Sequence, residues 1–178
     1  MRAEKREAIR IDYPKHWFLM GAAMWAVATS LLFYFAETAP TDATRNLWLV
    51  IAAVEGVLRF LFFVPPLFTY HLAGEKSLRI KMGLLIDATL PYSWVKEVKQ
   101  TSVNWGGVRV GIGVRYNSVS KTLWATTEFS NLVSLRLDGT HRFGRLMRSH
   151  PEQIVLSVDL PVRLIGLVKE KAGLPEDI

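Results

Sequence analysis

The segment Leu47–Phe68, LWLVIAAVEGVLRFLFFVPPLF, decides the fold class because it is long and apolar yet carries an acid and a base near its middle. About 20 apolar residues at a rise of 1.5 Å each cross the roughly 30 Å hydrocarbon core of a bilayer as a helix. Glu55 and Arg59 are therefore either a pair held inside a membrane or a sign that the segment lies elsewhere. The surrounding sequence distinguishes these two interpretations.

A second apolar run precedes this segment and contains no charged residue. It is Trp17–Ala36, WFLMGAAMWAVATSLLFYFA, and the polar link Glu37–Asn46, ETAPTDATRN, joins it to Leu47. A signal peptide has a shorter apolar core and then a small-residue cleavage site, whereas this link leads straight into another apolar run. We therefore predict a helical hairpin of two membrane spans, 17–36 and 47–68. Pro65 and Pro66 are expected to end its regular helix, because neither can donate an intrahelical hydrogen bond.

Basic residues are distributed unevenly around the two spans. The link contains only Arg45, whereas the segment before the first span contains Arg2, Lys5, Arg6, Arg10 and Lys15. Lys and Arg near span ends concentrate on the cytoplasmic side. We therefore predict a multi-pass protein of the cytoplasmic membrane with both termini in the cytoplasm, and we expect residues 1–16 to form an arm at the membrane surface.

Glu55 and Arg59 are four residues apart, so in a helix they lie on one face within contact distance. Counted from Leu47 they lie roughly 12 and 18 Å along the axis, where an unpaired charge costs around 3 kcal/mol. Three roles stay open for the pair. It could be a neutralised contact within the hairpin or an oligomer, or it could bind a buried partner, lipid headgroup or cofactor. Proton or ion conduction is the third, and one pair on two spans does not favour it.

Small residues predict the helix surface that packs against Glu55 and Arg59. The first span has Ala22, Ala26 and Ser30 at small-xxx-small spacing, with Thr29 beside them as a possible hydrogen-bond donor. The second span has Ala52 and Gly56 at the same spacing. We predict an intramembrane contact made by Glu55, Arg59, Ala22, Ala26, Ser30 and Gly56.

From about Thr69 the hydrophobic pattern changes from helical to a period of two residues, which is typical of strands. Ser77–Met82, SLRIKM, shows this alternation most clearly. Turn residues then separate about seven short antiparallel strands, at 77–82, 84–90, 95–98, 108–116, 121–129, 132–137 and 153–158. The last segment, Pro161–Ala172, is predicted to be an amphipathic helix that Asp159 caps and Gly173 ends.

Short motifs in these strands point to a known domain. Tyr70–Gly83, YHLAGEKSLRIKMG, is followed by Leu90–Val98, LPYSWVKEV, and the chain later reads Ile154–Asp159, IVLSVD, before its apolar helix. This resembles the bacterial pleckstrin-homology-like domain family, whose pattern is L-x-I-x-x-G and then I-P-hydrophobic-x-x-I-x-x-V. Leu90 departs from that pattern, since Ile is usual there.

The resemblance implies an α+β domain over residues 69–178. Its fold would be a seven-stranded, curled antiparallel β-sheet or barrel capped by a C-terminal α-helix. Membrane hairpins before such domains are common in the family, and the family fold implies no catalytic activity.

The residues themselves also argue against catalysis. The chain has no cysteine, which excludes disulfides, thiolate nucleophiles and Cys-based zinc sites. His16, His71, His141 and His150 do not pair with one another or with acids at metal-ligand spacing. The stretch GGVRVGIG lacks the Gly-Lys-Ser/Thr ending of a phosphate loop. We predict no enzyme activity, no cofactor and no metal site.

Two basic groups are candidates for a headgroup or partner surface. Lys76, Arg79 and Lys81 follow the pattern K-x-x-R-x-K, which is similar to the phosphoinositide-binding pattern of eukaryotic relatives of the family. The second group, Arg142, Arg145 and Arg148, recurs every three residues after a turn at Asp138-Gly139. Beside a bilayer, such groups gain roughly 1 kcal/mol per charge from anionic lipids. A solvated surface or a protein contact is the open alternative for both groups.

These observations together predict a non-catalytic, membrane-anchored binding or scaffolding protein. Its charged fraction, 21%, is too high for a polytopic transporter. Its formal charge of +6 does not by itself choose a partner. Membrane lipids and other membrane protein chains are the expected partners, and nucleic acid is disfavoured because the chain is held at a membrane. Two alternatives stay open: an accessory or assembly subunit of a larger membrane complex, and an anionic-lipid sensor.

Overall fold

A computed structural model describes residues 8–102, 113–144 and 149–175 of this chain. The chain divides into two compact units. One unit is Lys15–Phe68, and the other combines Met1–Pro14 with Thr69–Ile178.

The first unit consists of two helices, α1 (His16–Glu37) and α2 (Asp42–Phe68). Both are long and apolar enough to span a bilayer. The predicted link is shorter in the structure, because α2 starts at Asp42. Thr41 explains this start, since its Oγ1 accepts a hydrogen bond from the Thr44 amide at 3.2 Å, as an N-cap does.

The prediction that Pro65 and Pro66 end the second helix is wrong. Both prolines lie inside α2, which continues to Phe68. Each proline removes one donor from the helix, but the φ near −65° that its ring imposes is itself helical. The last turn therefore forms despite the two missing hydrogen bonds.

α1 and α2 pack against each other along one face. The Phe63 ring occupies the space beside Gly21 near one end, and the Trp48 and Phe35 rings are 5.5 Å apart near the other. Between these contacts, Ala52 is buried and Gly56 faces Trp25. Large apolar side chains elsewhere on both helices are exposed, among them Leu19, Met24, Val27, Leu31, Val50, Val54, Val57, Phe60 and Phe62.

The second unit begins with a four-stranded antiparallel sheet. Its strands lie in chain order: β1 (Ile9–Ile11), β2 (His71–Ala73), β3 (Ser77–Met82) and β4 (Ile86–Pro91). β3 has the predicted alternation, with Leu78, Ile80 and Met82 buried and Arg79 exposed. A short 3₁₀ turn, Tyr92–Trp94, then leads into the second sheet.

The second sheet has five strands in the order β5-β8-β9-β7-β6. They are β5 (Val95–Thr101), β6 (Gly113–Asn117), β7 (Thr122–Thr126), β8 (Leu132–Leu137) and β9 (Gln153–Ser157). β9 is buried along most of its length, as expected for a central strand with the continuous apolar run Ile154-Val155-Leu156. Helix α3 (Pro161–Ala172) contacts β5 and β8 and buries Leu164 and Val168.

The α+β class and the C-terminal helix are confirmed, but the seven-stranded antiparallel barrel is not. The described residues form nine strands in two sheets, and β7 pairs with β9 in parallel. β1 and β2 were not predicted, because each has only three residues, and β1 also needs a partner, β2, that is distant in sequence. Residues 108–112 of one predicted strand lie outside the described residues.

The predicted ends of α3 are half right. Gly173 follows the helix with φ +66°, the left-handed conformation that favours glycine after a helix. Asp159 does not occupy the capping position, which belongs to Leu160. The Asp159 amide instead donates to the backbone oxygen of Asp12 at 3.0 Å, which holds residue 159 against the segment that follows β1.

Candidate functional site

Glu55 and Arg59 form the predicted i,i+4 ion pair on α2. Arg59 Nε donates to Glu55 Oε2 at 2.9 Å, and Arg59 Nη2 contacts Oε1. This forked geometry is the strongest form of a carboxylate–guanidinium contact. The Arg59 side chain is 38% exposed and the Glu55 side chain 32%, so the pair is only partly buried. Lipid or another protein chain has to complete its enclosure if α2 spans a bilayer.

The small residues of the predicted contact lie on different faces of the hairpin. Gly56 is on the packed face, where an added Cβ would be 4.0 Å from Trp25 Cζ2. Ala22 is half-buried, whereas Ala26 and Ser30 are exposed. The Ser30 hydroxyl donates to the backbone oxygen of Ala26 at 2.8 Å. The contact predicted for Ala26 and Ser30 stays a prediction, and it requires a surface other than α2.

Two buried polar atoms on α1 add to this site. Within the described parts of the chain, Trp25 Nε1 and Thr29 Oγ1 have no hydrogen-bond partner. They are four residues apart, so they lie on one face of the helix. A buried polar group without a partner costs about 1–3 kcal/mol. The sequence indicated Thr29 as a donor, but it did not single out Trp25.

A polar cluster in the second unit connects the segments that flank the hairpin. We call Tyr13, Thr69, His71 and Gly83 the junction cluster. The Tyr13 hydroxyl and Thr69 Oγ1 are hydrogen-bonded at 2.7 Å, and the Gly83 amide donates to the same Oγ1 at 2.7 Å. Tyr13 is 1% exposed, and this burial raises its pKa to about 12. β1 pairs with β2 beside the cluster, with Arg10 opposite Leu72.

His71 is fully buried in the junction cluster. Its Nδ1 accepts a hydrogen bond from the Lys81 amide at 3.1 Å, so the neutral ring carries its proton on Nε2. Nε2 has no hydrogen-bond partner among the described residues. Burial lowers the pKa of His71 to about 4, and the ring packs 5.1 Å from that of Tyr13. The sequence did not indicate this environment, because neither the burial of His71 nor its contacts are set by neighbouring residues in the chain.

The first predicted basic group is partly neutralised. Arg79 donates two hydrogen bonds to Asp87, both of 2.7 Å, and Lys81 Nζ lies 3.7 Å from the same carboxylate. The hydrogen bond from Arg79 lowers the pKa of Asp87 and raises that of Arg79. Lys76 is exposed in the turn before β3. The group therefore presents less positive charge than its sequence indicated, because Asp87 lies opposite Lys81 on β4.

The second basic group is described only at Arg142, which is exposed. Arg145 and Arg148 lie outside the described residues. Beside Arg142, the His141 ring stacks on Trp94 with centroids 3.9 Å apart and planes inclined by 5°. His141 Nε2 and Asp138 Oδ1 are 2.6 Å apart, and this hydrogen bond lowers the pKa of Asp138. The Asp138–His141 spacing could have indicated the contact, but nothing local indicated Trp94.

A small cavity of about 120 Å³ lies between β1 and the start of α3. Two of its charged groups satisfy each other, because Arg10 donates three hydrogen bonds of 2.7 to 3.0 Å to Asp12. At about 30 Å³ per water molecule, the cavity admits a few waters or a small ion. Its lining residues are Arg10, Ile11, Asp12, Asp159, Leu160 and Arg163.

Neither a group of possible metal ligands among the described residues nor a similarity to known proteins indicates a further site. In residues 8–102, 113–144 and 149–175, His, Asp and Glu side chains do not gather in groups of three that could hold a metal ion. Comparison of the chain with protein-family models, curated proteins and solved structures found no match. The hairpin, the junction cluster and the surfaces described above are therefore the features that bear on function.

Proposed function

We propose that this chain is a non-catalytic, membrane-anchored binding and scaffolding protein with a pleckstrin-homology-like domain in the cytoplasm. The observation that carries the proposal is the exposed apolar surface of α1 and α2. Helices of this length that leave side chains such as Val27, Val57 and Phe60 uncovered have a surface suited to lipid. The α+β unit then presents its surface to a protein partner or to lipid headgroups.

Pairing of β1 with β2 supports a hairpin that crosses the bilayer twice. β1 precedes α1 and β2 follows α2, and their residues Ile9–Ile11 and His71–Ala73 form one antiparallel ladder. Two segments in one ladder must lie on the same side of a membrane. The basic residues before α1 favour the cytoplasm as that side.

Cysteine labelling tests this topology directly, because the chain contains no cysteine of its own. Thr41→Cys places a thiol in the exposed link between the helices, and Val119→Cys places one at a residue that is 94% exposed. We expect a membrane-impermeant maleimide added to intact cells to label position 41 and not position 119. Permeabilised cells are the control in which both positions react. Labelling of both positions in intact cells, or of neither, would overturn the proposed topology.

The second candidate function is an accessory or assembly subunit of a larger membrane complex. The incomplete covering of Glu55 and Arg59 favours it, as does the exposed face of Ala26 and Ser30. Both features describe a surface that a neighbouring membrane helix could cover.

The experiment compares protein partners after purification in mild detergent. We expect the variant Glu55→Leu/Arg59→Leu to lose its protein partners, because it removes the ion pair that is proposed to contact them. The exchange Glu55→Arg/Arg59→Glu keeps an ion pair at the same place, and Val57→Leu is an apolar control on an exposed position of the same helix. Partners that remain unchanged in the double-leucine variant would contradict the accessory-subunit proposal.

An anionic-lipid sensor is the third candidate. Lys76 and Arg142 are exposed basic residues that could meet headgroups, but the Asp87 carboxylate reduces the charge of the Arg79 and Lys81 group. Salt-sensitive preference of the reconstituted full chain for anionic over neutral lipid neighbours would support this candidate. Equal distribution between the two lipids would remove it.

A further inference from the structure

We propose that the turn between β3 and β4, residues 83–85, rests on the bilayer surface and inserts Leu84 among the lipid headgroups. The inference extends the proposed function and depends on its membrane spans. It assigns a lipid contact to a residue that none of the basic groups includes.

The position of the turn follows from one hydrogen bond. Thr69 is the first residue after α2, which ends at Phe68. The Gly83 amide donates to Thr69 Oγ1 at 2.7 Å, so the turn lies beside the point where the chain leaves α2. Tyr13, three residues before α1, is hydrogen-bonded to the same oxygen. The turn is thus hydrogen-bonded to the residue that follows α2 in the chain, and that residue is also bonded to Tyr13.

The shape of the turn presents Leu84 outward. Gly83 has φ +56°, a left-handed conformation that glycine adopts without strain, and the Leu85 amide closes the turn on the Met82 oxygen at 3.0 Å. Leu84 is 54% exposed, while the adjacent strand residues Met82 and Ile86 are buried. The domain therefore buries the apolar residues on either side of this turn and leaves the one at its tip uncovered.

The charges near the turn are compatible with headgroups. Lys81 precedes Gly83 by two residues, and its side chain is 38% exposed. Arg79 and Lys81 together outweigh Asp87 by one charge. Leu84 at the tip of the turn could insert at the headgroup boundary, and the net positive charge of Arg79, Lys81 and Asp87 could attract lipid phosphates there.

Val119 provides a matched contrast. It is also an apolar residue at an exposed turn, between β6 and β7, and it is 94% exposed. Asn117 Oδ1 organises that turn by accepting from the Val119 and Ser120 amides. Its described hydrogen bonds do not include Thr69 or any other residue adjoining α2. Exposure alone therefore does not predict the lipid contact; proximity to Thr69 does.

The test uses the full chain in lipid nanodiscs with one environment-sensitive fluorophore on a single cysteine. The three positions are Leu84→Cys, Val119→Cys and Val57→Cys, the last on an exposed position of α2. Lipids that carry a quencher at a shallow or a deep position of the acyl chain report depth. We expect blue-shifted emission and loss of intensity at position 84, stronger with the shallow quencher. Position 57 should respond more to the deep quencher, and position 119 should respond to neither.

The three positions separate failure of this inference from failure of the proposed function. Quenching at 57 without quenching at 84 would overturn the lipid contact and leave the spans intact. Absence of quenching at 57 would overturn the spans, and the lipid contact with them. Equal quenching at 84 and 119 would show that the whole domain contacts lipid without the preference proposed here.

The fluorophore itself must not cause the insertion, so a second measurement uses the unlabelled side chain. Hydrogen exchange of residues 83–86 is compared between the wild-type chain and Leu84→Asp in nanodiscs. We expect faster exchange in Leu84→Asp, because the carboxylate withdraws the turn from the headgroups. Val119→Asp is the control for residues 117–121, where exchange should not change. Equal exchange at residues 83–86 in the wild type and Leu84→Asp would overturn the proposal.

Discussion

At the scale of single residues, His71 links the junction cluster to pH. The folded pKa is about 4 and the ordinary value is 6.5, so between these values the unfolded chain binds more protons than the folded one. The stabilising effect of the neutral buried ring is complete above pH 6.5 and decreases as the pH falls toward 4. We expect a loss of about 3 kcal/mol in the free energy of unfolding across this window. Thermal unfolding of the detergent-solubilised chain between pH 7 and pH 5 measures most of it.

His71→Leu is the variant that identifies the source of this pH dependence. It should flatten the profile between pH 7 and 5, while it lowers stability at pH 7 by about 1–3 kcal/mol because the Lys81 amide loses its acceptor. His150→Gln is the matched control, because it replaces a histidine at an exposed position. An unchanged slope in His71→Leu would contradict the assignment.

Glu55 and Arg59 give a second prediction at the residue scale. Removing one partner leaves an unpaired charge, which costs around 3 kcal/mol at the centre of a spanning helix. We therefore expect Glu55→Leu and Arg59→Leu each to destabilise the reconstituted chain by about 3 kcal/mol, and the double variant to be more stable than either single one. Unfolding in mixed detergent micelles of increasing denaturing strength measures all four proteins. Additive losses in the double variant would show that the two side chains do not act as a pair.

At the scale of secondary-structure elements, the packing of α1 on α2 requires glycine at position 21 but not at position 56. A Cβ at Gly21 would overlap the Phe63 ring, whereas a Cβ at Gly56 would have ordinary contact with Trp25. We expect Gly21→Ala to destabilise the hairpin by about 1–3 kcal/mol, as overpacking does, and Gly56→Ala to be tolerated. The same detergent unfolding assay distinguishes them. Gly21→Ala combined with Phe63→Leu should recover part of the loss, and equal losses in the two alanine variants would contradict this packing.

The elements that could be predicted are those whose signal is local. The apolar runs 17–36 and 47–68 lie within α1 and α2, and the alternation in Ser77–Met82 and the apolar run at Gln153–Val158 identify β3 and β9. β1 could not be predicted, because Ile9–Ile11 lies in a segment of alternating charge and is a strand only through its pairing with β2. The parallel pairing of β7 with β9 could not be predicted either, because strand order is set by contacts between residues distant in the chain.

At the scale of the whole molecule, the candidate site also contains local contacts that could be predicted and long-range contacts that could not. Glu55 and Arg59 could be predicted because their contact is an i,i+4 contact on one helix. The Tyr13–Thr69 and Gly83–Thr69 hydrogen bonds could not, since they join residues 56 and 14 positions apart. These long-range contacts carry the inference that Leu84 meets lipid. The proposed lipid contact of Leu84 therefore could not be predicted from sequence patterns, because it depends on tertiary contacts.

The pairing of β1 with β2 gives a prediction for the whole chain. Arg10 and Leu72 are directly opposite in the antiparallel ladder, where Cα atoms lie about 4.5–5.5 Å apart, within the range that a disulfide spans. We expect Arg10→Cys/Leu72→Cys to form an intramolecular disulfide in native membranes under mild oxidation, detected as a shift in mobility on a non-reducing gel. Arg10→Cys/Thr41→Cys is the control that should stay reduced, because a spanning α1 places these residues on opposite sides of the bilayer. A disulfide in the control pair, or none in the first pair, would contradict a hairpin that crosses the membrane twice and returns the chain to the β1 strand.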